Sequence, residues 1–300
     1  MSKSLWISSM RTTSSTMPLS SPRARALLRI SRVQVLRHLA MLDDNPTLRS
    51  DLKQMRDIVA RAREGSKHAS DATLDDLFVL DRCLDFLEAY AAIWRLIAQS
   101  KCADSWCSLQ DCLDLLRLIK RWSSIQVDTF ESQLLQLEKA YPYKIFFSKG
   151  LVVEYFECSI CGQDMDSFSC PHRRGHLYRG VMAHGIARGE MDLDHISAVD
   201  HPHDKRCVPI CSDDEPGFAA VRKIGELIRA RTMKVSQFHS LEFSTIQISR
   251  SAAERPGRNE HCHCGSEKKY KRCCHGKDYV EKKHVEIIPA NQMLALAVYS

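Results

Sequence analysis

Residues 256–276, PGRNEHCHCGSEKKYKRCCHG, carry four cysteines in two pairs at C-x-C-x8-C-C spacing. The first pair is Cys262 and Cys264, and the second is Cys273 and Cys274. Side chains two residues apart on an extended segment point the same way, so the first pair can offer both thiolates to one ion. The Gly-Ser dipeptide that follows lets the chain reverse and return the second pair. The spacing predicts a closed structural zinc site with no open position for water or substrate.

The segment resembles the SEC-C motif, the zinc-binding tail named for the bacterial preprotein translocase motor SecA. It departs from the SecA pattern at two positions: His263 replaces the usual proline, and Cys274 stands where SecA has histidine. Because a second cysteine is a familiar variant there, the resemblance implies Cys274 as the fourth ligand, with His275 or His263 as alternatives. The chain has no G-x-x-x-x-G-K-[ST] phosphate loop. The resemblance therefore implies zinc binding and protein contact, not ATP hydrolysis.

A second candidate metal site lies upstream, at C-x2-C-x8-C-x-H spacing. Its candidate ligands are Cys158, Cys161, Cys170 and His172. A C-x2-C-G turn presents both sulfurs to one ion, and the last two ligands, spaced by one residue, can share a face. The alternative interpretation is a pair of buried cysteines beside a surface histidine. The segment also resembles a bacterial zinc knuckle found with SEC-C tails, which implies no activity. We therefore predict two zinc ions per chain.

The composition, with 44% hydrophobic and 27% charged residues, is that of an ordinary soluble globular protein. No stretch approaches the ~18–20 consecutive apolar residues of a membrane span. Seven of the thirteen cysteines fall into the two zinc patterns, which favours a reducing cytosol over disulfides. Most of the others are predicted to be small buried hydrophobic residues: Cys83, Cys102, Cys107, Cys112, Cys207 and Cys211.

The first 42 residues contain no Asp or Glu and are rich in Arg, Ser and Thr. We interpret residues 1–23 as a basic disordered leader. The alternatives are an organelle transit peptide or a later translation start at Met10 or Met17. Because both zinc motifs resemble bacterial segments, an organelle is disfavoured and a cytoplasmic location is expected.

Helical periodicity dominates residues 24–143 and predicts an N-terminal helical bundle with short connections. The longest apolar seam includes Leu77, Leu80, Leu84, Leu87 and Trp94 at alternating three- and four-residue steps. Helix starts are predicted at four polar pairs: Asn45–Pro46, Thr73 with Asp76, Ser108 with Asp111, and Asp128 with Glu131.

The second half is predicted to be a small α+β zinc-stabilised module over residues 144–250, followed by the SEC-C zinc-binding segment, 251–284, and a C-terminal tail, 285–300. Two runs, 145–147 and 151–156, read as a hairpin around a Ser-Lys-Gly turn. A helix is expected from Pro216, a half-buried strand over 241–248, and an edge strand over 285–288. The predicted fold class is thus mainly α at the N-terminus, with an α+β module that ends in a zinc tail.

The favoured function is that of a non-enzymatic adaptor that uses two structural zinc sites to build an interaction surface. Four cations between the cysteine pairs are the candidate partner-binding residues: Lys268, Lys269, Lys271 and Arg272. The resemblance to SecA implies an acidic protein partner. Alternatively, these cations contact nucleic-acid phosphates or anionic lipid, or merely offset the charge of a four-thiolate zinc site. Two Zn2+ with seven thiolates would lower the formal charge of +6 to +3, which gives little support for nucleic acid.

A competing hypothesis is an HNH-like metal-dependent nuclease centred on Asp194 and His195, in which histidine activates water and a metal holds the phosphate. Asp200, His201 and His203 lie close by in the sequence. However, such sites need a further Asn or His on the following helix, and this chain has no Asn between Asn45 and Asn259. Ordinary surface loop histidines are therefore the favoured interpretation of this segment.

Overall fold

The computed structural model describes residues 48–66, 68–123, 125, 127–209, 211–249, 256–262, 268–277 and 279–289. The predicted leader and the helix start at Asn45–Pro46 lie outside these ranges. Five α-helices are described: α1 (Leu48–Glu64), α2 (Asp71–Ala98), α3 (Cys102–Trp122), α4 (Asp128–Glu138) and α5 (Ala219–Arg229). The strands are β1 (Phe146–Cys158), β2 (Leu177–Tyr178), β3 (Val181–Met182), β4 (Gly185–Val199), β5 (Phe238–Ser249) and β6 (Tyr279–Pro289). They form three two-stranded antiparallel sheets, β1–β4, β2–β3 and β5–β6, so the described part is mixed α/β.

Helix α2 lies at the centre of the hydrophobic core and packs against α1, α3 and α5. The predicted seam is buried at Leu77, Leu80, Leu84, Leu87 and Trp94. Burial extends beyond this seam because the helix has neighbours on several sides: Phe86, Ile93 and Ile97 are also fully buried. None of the described helices is long and apolar enough to cross a bilayer.

The core does not end at residue 143, where the first domain was predicted to end. Phe218, Val221 and Ile224, at and after the start of α5, are fully buried in the same cluster as the helices. Phe238, at the start of β5, packs its ring 5.6 Å from that of Trp94 on α2. The predicted domain boundaries stay predictions. One continuous hydrophobic core nevertheless includes residues on both sides of residue 143.

Of the three predicted helix starts that lie in the described residues, two differ from the prediction, and the third lacks the predicted cap. Helix α2 begins at Asp71, because the Ser70 hydroxyl accepts a hydrogen bond from the N–H of Thr73 at 3.3 Å. Thr73 is therefore the third residue of the helix and not its cap. Helix α4 begins at Asp128 as predicted, but no side chain caps it. The two acidic residues of its first turn, Asp128 and Glu131, instead bind the Lys120 ammonium at 2.8 and 2.7 Å.

Helix α3 begins at Cys102, six residues before the predicted start at Ser108. Its first turn receives a partner from a distant part of the chain: the Asp213 carboxylate accepts a hydrogen bond from the N–H of Ala103 at 2.8 Å. An acidic group at a helix N-terminus satisfies an unpaired N–H and complements the helix dipole. The sequence around Ser108 gives no indication of this hydrogen bond between Ala103 and Asp213.

The hairpin predicted over residues 145–156 is wrong: the segment is one continuous strand, β1, paired with β4. Gly150 was taken for a turn residue but lies in the middle of this strand. Its function is steric, since a Cβ atom there would lie 2.5 Å from Cε1 of His195 on the neighbouring strand. The missing side chain thus makes room for the imidazole opposite.

Strands β5 and β6 form a second long ribbon, which confirms the predicted strands at 241–248 and 285–288 and extends both. The base of the ribbon lies on the core, where Leu241 is buried, and its far end is the pair Ser249 and Tyr279. The cysteine-rich stretch 256–276 lies between these two paired residues in the chain. It is therefore an insertion between two strands of one sheet and not a tail beyond them.

Asp76 on α2 supplies a prediction about pH. Burial raises the pKa of its carboxyl to about 6, and the neighbouring Asp75 carboxylate adds to the rise. The folded state therefore disfavours the ionised form, so we expect Asp76→Asn to stabilise the protein at pH 7 by on the order of 1 kcal/mol, allowing for partial exposure. The gain should be full above pH 6 and vanish below 3.8, where the carboxyl is protonated in both states.

Urea unfolding at pH 7 and at pH 4 measures this difference. Asp57→Asn, an exposed site on α1, is the control and should change stability little at either pH. A loss of stability in the Asp76 variant at pH 7 would show that the carboxylate has a stabilising partner.

Candidate metal centres

The four residues of the upstream pattern converge at the end of the β1–β4 ribbon. The ligand atoms of Cys158, Cys161, Cys170 and His172 all lie within 4.8 Å of one another. The Sγ atoms of Cys161 and Cys170 are 3.7 Å apart. Two sulfurs bound to one tetrahedral zinc at about 2.3 Å would lie about 3.8 Å apart, so this separation fits a shared ion. We call these four residues the knuckle cluster.

The chemistry of the knuckle cluster also fits a cation. Burial opposes ionisation of the Cys158 thiol, but hydrogen bonds from the N–H groups of Cys161 and Ile160 and from the Cys161 and Cys170 side chains together hold the pKa of Cys158 below its ordinary value. The pKa of Cys170 is raised, by burial and by the neighbouring sulfurs. Several thiolates so close together repel one another unless a bound cation offsets their charge.

His172 supplies a second indication that the knuckle cluster fits a cation. Its Nδ1 atom is buried and has no hydrogen-bond partner among the described residues. Its ring is held edge-on to the ring of Tyr178 at 4.6 Å. Buried polar atoms are normally satisfied, and a coordinated ion is one way to satisfy an imidazole. Tyr178, which orients this ring, is a supporting residue that the cysteine and histidine spacing does not reveal.

The segment that follows the knuckle cluster docks on the N-terminal end of α2. The N–H of Gly180 donates a hydrogen bond to Asp75 at 2.7 Å, and Arg179 pairs with Asp71 at 2.6 Å. Gly180 has a φ of +75°, and a Cβ atom there would lie 2.5 Å from the carbonyl oxygen of Leu74. Only glycine allows this close contact, so the knuckle and the helix are joined through backbone as well as side chains.

The second cluster belongs to the segment that connects β5 to β6 in the chain. Cys262, Cys273 and Cys274 have ligand atoms within 4.8 Å of one another, and the last two have Sγ atoms 3.7 Å apart. Cys264, the remaining candidate ligand, and His263, an alternative, lie outside the described residues. His275 is not in the cluster and places its ring 5.4 Å from that of Tyr270. The described geometry therefore favours Cys274 over His275.

Local hydrogen bonds hold this second cluster together. The N–H of Cys262 donates to the carbonyl of Lys268 at 2.8 Å, and the N–H of Tyr270 donates to that of Glu260 at the same distance. The Tyr270 side chain is buried and packs with the cysteines in a small cluster separate from the main core. Its part in the site was missed from sequence, although it is the sole aromatic residue between the two cysteine pairs.

The four candidate partner-binding cations surround this second cluster on its outside. Lys268, Lys269, Lys271 and Arg272 are all exposed. In the part of the chain that the structure describes, none of them forms an ion pair. Tyr270, Lys271 and Arg272 form one turn of 3-10 helix, so backbone structure fixes where these side chains leave the chain. We call these four cations the basic arm.

The residues of the nuclease hypothesis lie elsewhere, on strand β4. His195 Nδ1 and Asp194 Oδ2 are 2.9 Å apart, and both side chains are mostly exposed. Neither belongs to a group of three or more metal-ligating side chains within the described ranges. The pair is oriented, but no third ligand is brought to it there.

The cysteines outside the two clusters divide into two groups. Cys83, Cys102 and Cys112 are buried in the core, as predicted for small hydrophobic residues. Cys211 is half-buried and packs against the same core, whereas Cys107 and Cys207 are exposed and do not fit that prediction.

Comparison with known protein families identifies a SEC-C motif at residues 258–276, which includes both cysteine pairs. The chain therefore carries a SEC-C motif, and the observed cysteine cluster fits a zinc site. Comparison with curated proteins and with solved structures gives no match. The two clusters could hold metal ions, and the SEC-C motif suggests zinc for the second of them.

Proposed function

We propose that this chain is a non-enzymatic, zinc-binding adaptor that contacts an acidic protein partner through its basic arm. Two structural zinc ions would be held by the knuckle cluster and by Cys262, Cys264, Cys273 and Cys274. The observation that carries the proposal is the basic arm on a SEC-C motif inserted at the far end of the β5–β6 ribbon. All four cations are exposed, and none forms an ion pair with another described residue.

Coordination chemistry supports a structural role for both ions. Each cluster is proposed to supply four protein ligands, and a four-coordinate zinc site leaves no position for substrate or activated water. The adaptor is favoured over the nuclease because Asp194 and His195 have no third metal-ligating neighbour among the described residues. The helices α1–α4 would serve as a bundle that supports the two zinc segments in the cytoplasm.

The charge of the loaded protein favours a protein partner over nucleic acid. The formal charge of +6 falls to +3 with two zinc ions and seven thiolates, which is small for 300 residues. Nucleic-acid binding draws on many phosphate contacts spread over a basic surface. A compact group of four cations beside a rigid zinc site is better matched to a short acidic segment of a folded or extended protein.

Charge reversal in the basic arm tests this function. Lys268→Glu with Lys271→Glu should keep both zinc ions, because neither residue ligates, but should weaken binding of a fluorescent acidic peptide at least 10-fold at low salt. The effect should shrink at 0.3 M salt, since screening weakens contacts between exposed charges. Fluorescence anisotropy measures binding, and native mass spectrometry counts zinc.

The matched control reverses two exposed lysines outside the basic arm, Lys53 on α1 and Lys144 just before β1. A labelled single-stranded oligonucleotide of the same charge as the peptide separates the two partner classes. Equal peptide binding by the wild type and the arm variant would leave the arm as charge compensation for the zinc site. Preferential binding of the oligonucleotide would replace the adaptor with a nucleic-acid module.

A further inference from the structure

The β1–β4 ribbon exposes an apolar face that the adaptor function does not use. Residues directly opposite on antiparallel strands project from the same side of the sheet. The pairs Leu151–Leu193 and Val153–Met191 are therefore on one face, together with Ile196 opposite Lys149 and with Tyr155. We call this surface the ribbon face, and its apolar members are Leu151, Val153, Tyr155, Met191, Leu193 and Ile196.

These side chains are far more exposed than a soluble surface normally allows for neighbouring apolar residues. Met191 and Leu193 are 58% exposed, and Ile196 is 63% exposed. The opposite face of the ribbon is more polar, with Asp192 across from Val152 and His195 across from Gly150. The ribbon is thus amphipathic, and a contiguous exposed apolar patch of this kind marks an interaction site.

The ribbon also lacks the support that a two-stranded sheet needs. An isolated pair of strands is marginal in water, and stable sheets have a third strand or a packed face. Both ends of this ribbon are held: Phe146 is buried in the core, and Cys158 is buried in the knuckle cluster. Between these ends, no other described segment forms backbone hydrogen bonds with the strand edges from Ser148 to Tyr155. A further layer against the ribbon face would complete the structure.

We propose that a second copy of this chain covers the ribbon face, so that two ribbons stack about a two-fold axis that runs between their Val153 residues. In such an arrangement the same surface serves both partners. The axis places residues that are equally far from Val153 in the sequence near each other: Leu151 of one copy meets Tyr155 of the other. Lys149 of one copy likewise approaches Glu157 of the other. Glu157 already pairs with Arg188 of its own ribbon at 3.1 Å, so at each end of the interface this carboxylate would lie between two cations.

The available area suits a small but specific dimer. Val153 is partly exposed, and the other five side chains are 38–63% exposed, so full coverage would bury roughly 600 Å2 per copy. The two copies together then reach the lower end of the buried area of stable interfaces. Stacking would place the two ribbons about 10 Å apart, the usual spacing of packed sheets. An acidic peptide is a poor occupant for this face, since its centre is apolar and the cation opposite Tyr155, Arg188, is already paired with Glu157.

Sedimentation equilibrium of the zinc-loaded full-length protein from 1 to 100 µM tests the dimer. We expect the wild type to dimerise, and Leu193→Glu to raise the dissociation constant at least 10-fold by placing a carboxylate in the interface. The matched control is Val152→Glu, because Val152 is 59% exposed on the opposite face. That variant should dimerise like the wild type.

The charge pair gives a second, milder test that does not disturb the apolar centre. Lys149→Glu should weaken the dimer several-fold. Adding Glu157→Lys together with Arg188→Glu, which keeps an ion pair across the ribbon, should restore the dimer if the two-fold axis runs between the two Val153 residues. A wild type that stays monomeric at 100 µM would overturn the proposal and leave the face to a different partner. A dimer that tolerates Leu193→Glu as well as Val152→Glu would overturn it too, because another surface would then be the interface.

Discussion

Replacing Cys161 with serine is expected to remove one zinc ion and to lower the stability of the helical core, whereas replacing Cys273 should remove the other ion without this loss. The difference follows from what each cluster touches. The segment after the knuckle cluster joins α2 through Gly180 and Arg179. The cysteines of the SEC-C motif pack in a cluster of their own. Zinc binding supplies the folding free energy of such short segments, roughly 10–16 kcal/mol in zinc-finger peptides.

Most of this free energy stabilises only the segment that holds the ion. Loss of zinc from the knuckle cluster therefore affects the helical core only through the contacts that Gly180 and Arg179 make with α2. We expect Cys161→Ser to cost the core roughly 2–4 kcal/mol, which lowers its melting temperature by about 5–10 °C. Cys273→Ser should leave this transition within about 1 °C of the wild type. Calorimetry and native mass spectrometry measure both effects, with Cys107→Ser, an exposed cysteine outside both clusters, as the control. Equal losses in the two variants would show that the SEC-C motif also supports the core.

Trp106→Ala is expected to be the most damaging single change in the core. This side chain is 2% exposed and places its ring 4.9 Å from Tyr143 and 5.1 Å from Tyr141. Its Nε1–H also donates to the carbonyl oxygen of Lys205 at 2.8 Å. Removing a buried tryptophan costs about 3–5 kcal/mol and leaves a cavity where α3, β1 and the segment around Lys205 meet.

The matched control for that variant is Phe168→Ala, because Phe168 is fully exposed on the knuckle. Urea unfolding followed by circular dichroism should show no measurable shift for this control. A loss below 1 kcal/mol for Trp106→Ala would mean that the surrounding aromatic rings close over the cavity.

The metal clusters could be predicted from sequence because their geometry is local. In each motif two ligands lie one or two residues apart, and a short connection returns the others, so spacing alone brings the sulfurs together. The seam of α2 was predictable for the same reason, since Leu77, Leu80 and Leu84 recur within a few turns. Patterns of this kind need no knowledge of distant neighbours.

The errors arise where a distant residue determines the local structure. Helix α3 starts early because Asp213, more than a hundred residues away, binds its first turn. Gly150 looked like a turn residue, yet it lies within a strand whose partner comes from the other side of the knuckle. The ribbon face could not be predicted from the sequence for a similar reason. Which residues share it depends on the pairing of β1 with β4, and that pairing has two register shifts.

The position of the SEC-C motif between Ser249 and Tyr279 has a consequence for how such a segment can be exchanged. These two residues are paired across the ribbon, so the ends of the insertion are already neighbours in space. Closing a longer or shorter flexible loop there changes the chain entropy only slowly, by roughly 0.6 kcal/mol for each doubling of length. The motif can therefore be replaced by another segment, in evolution or by protein engineering, while strands β5 and β6 keep their register.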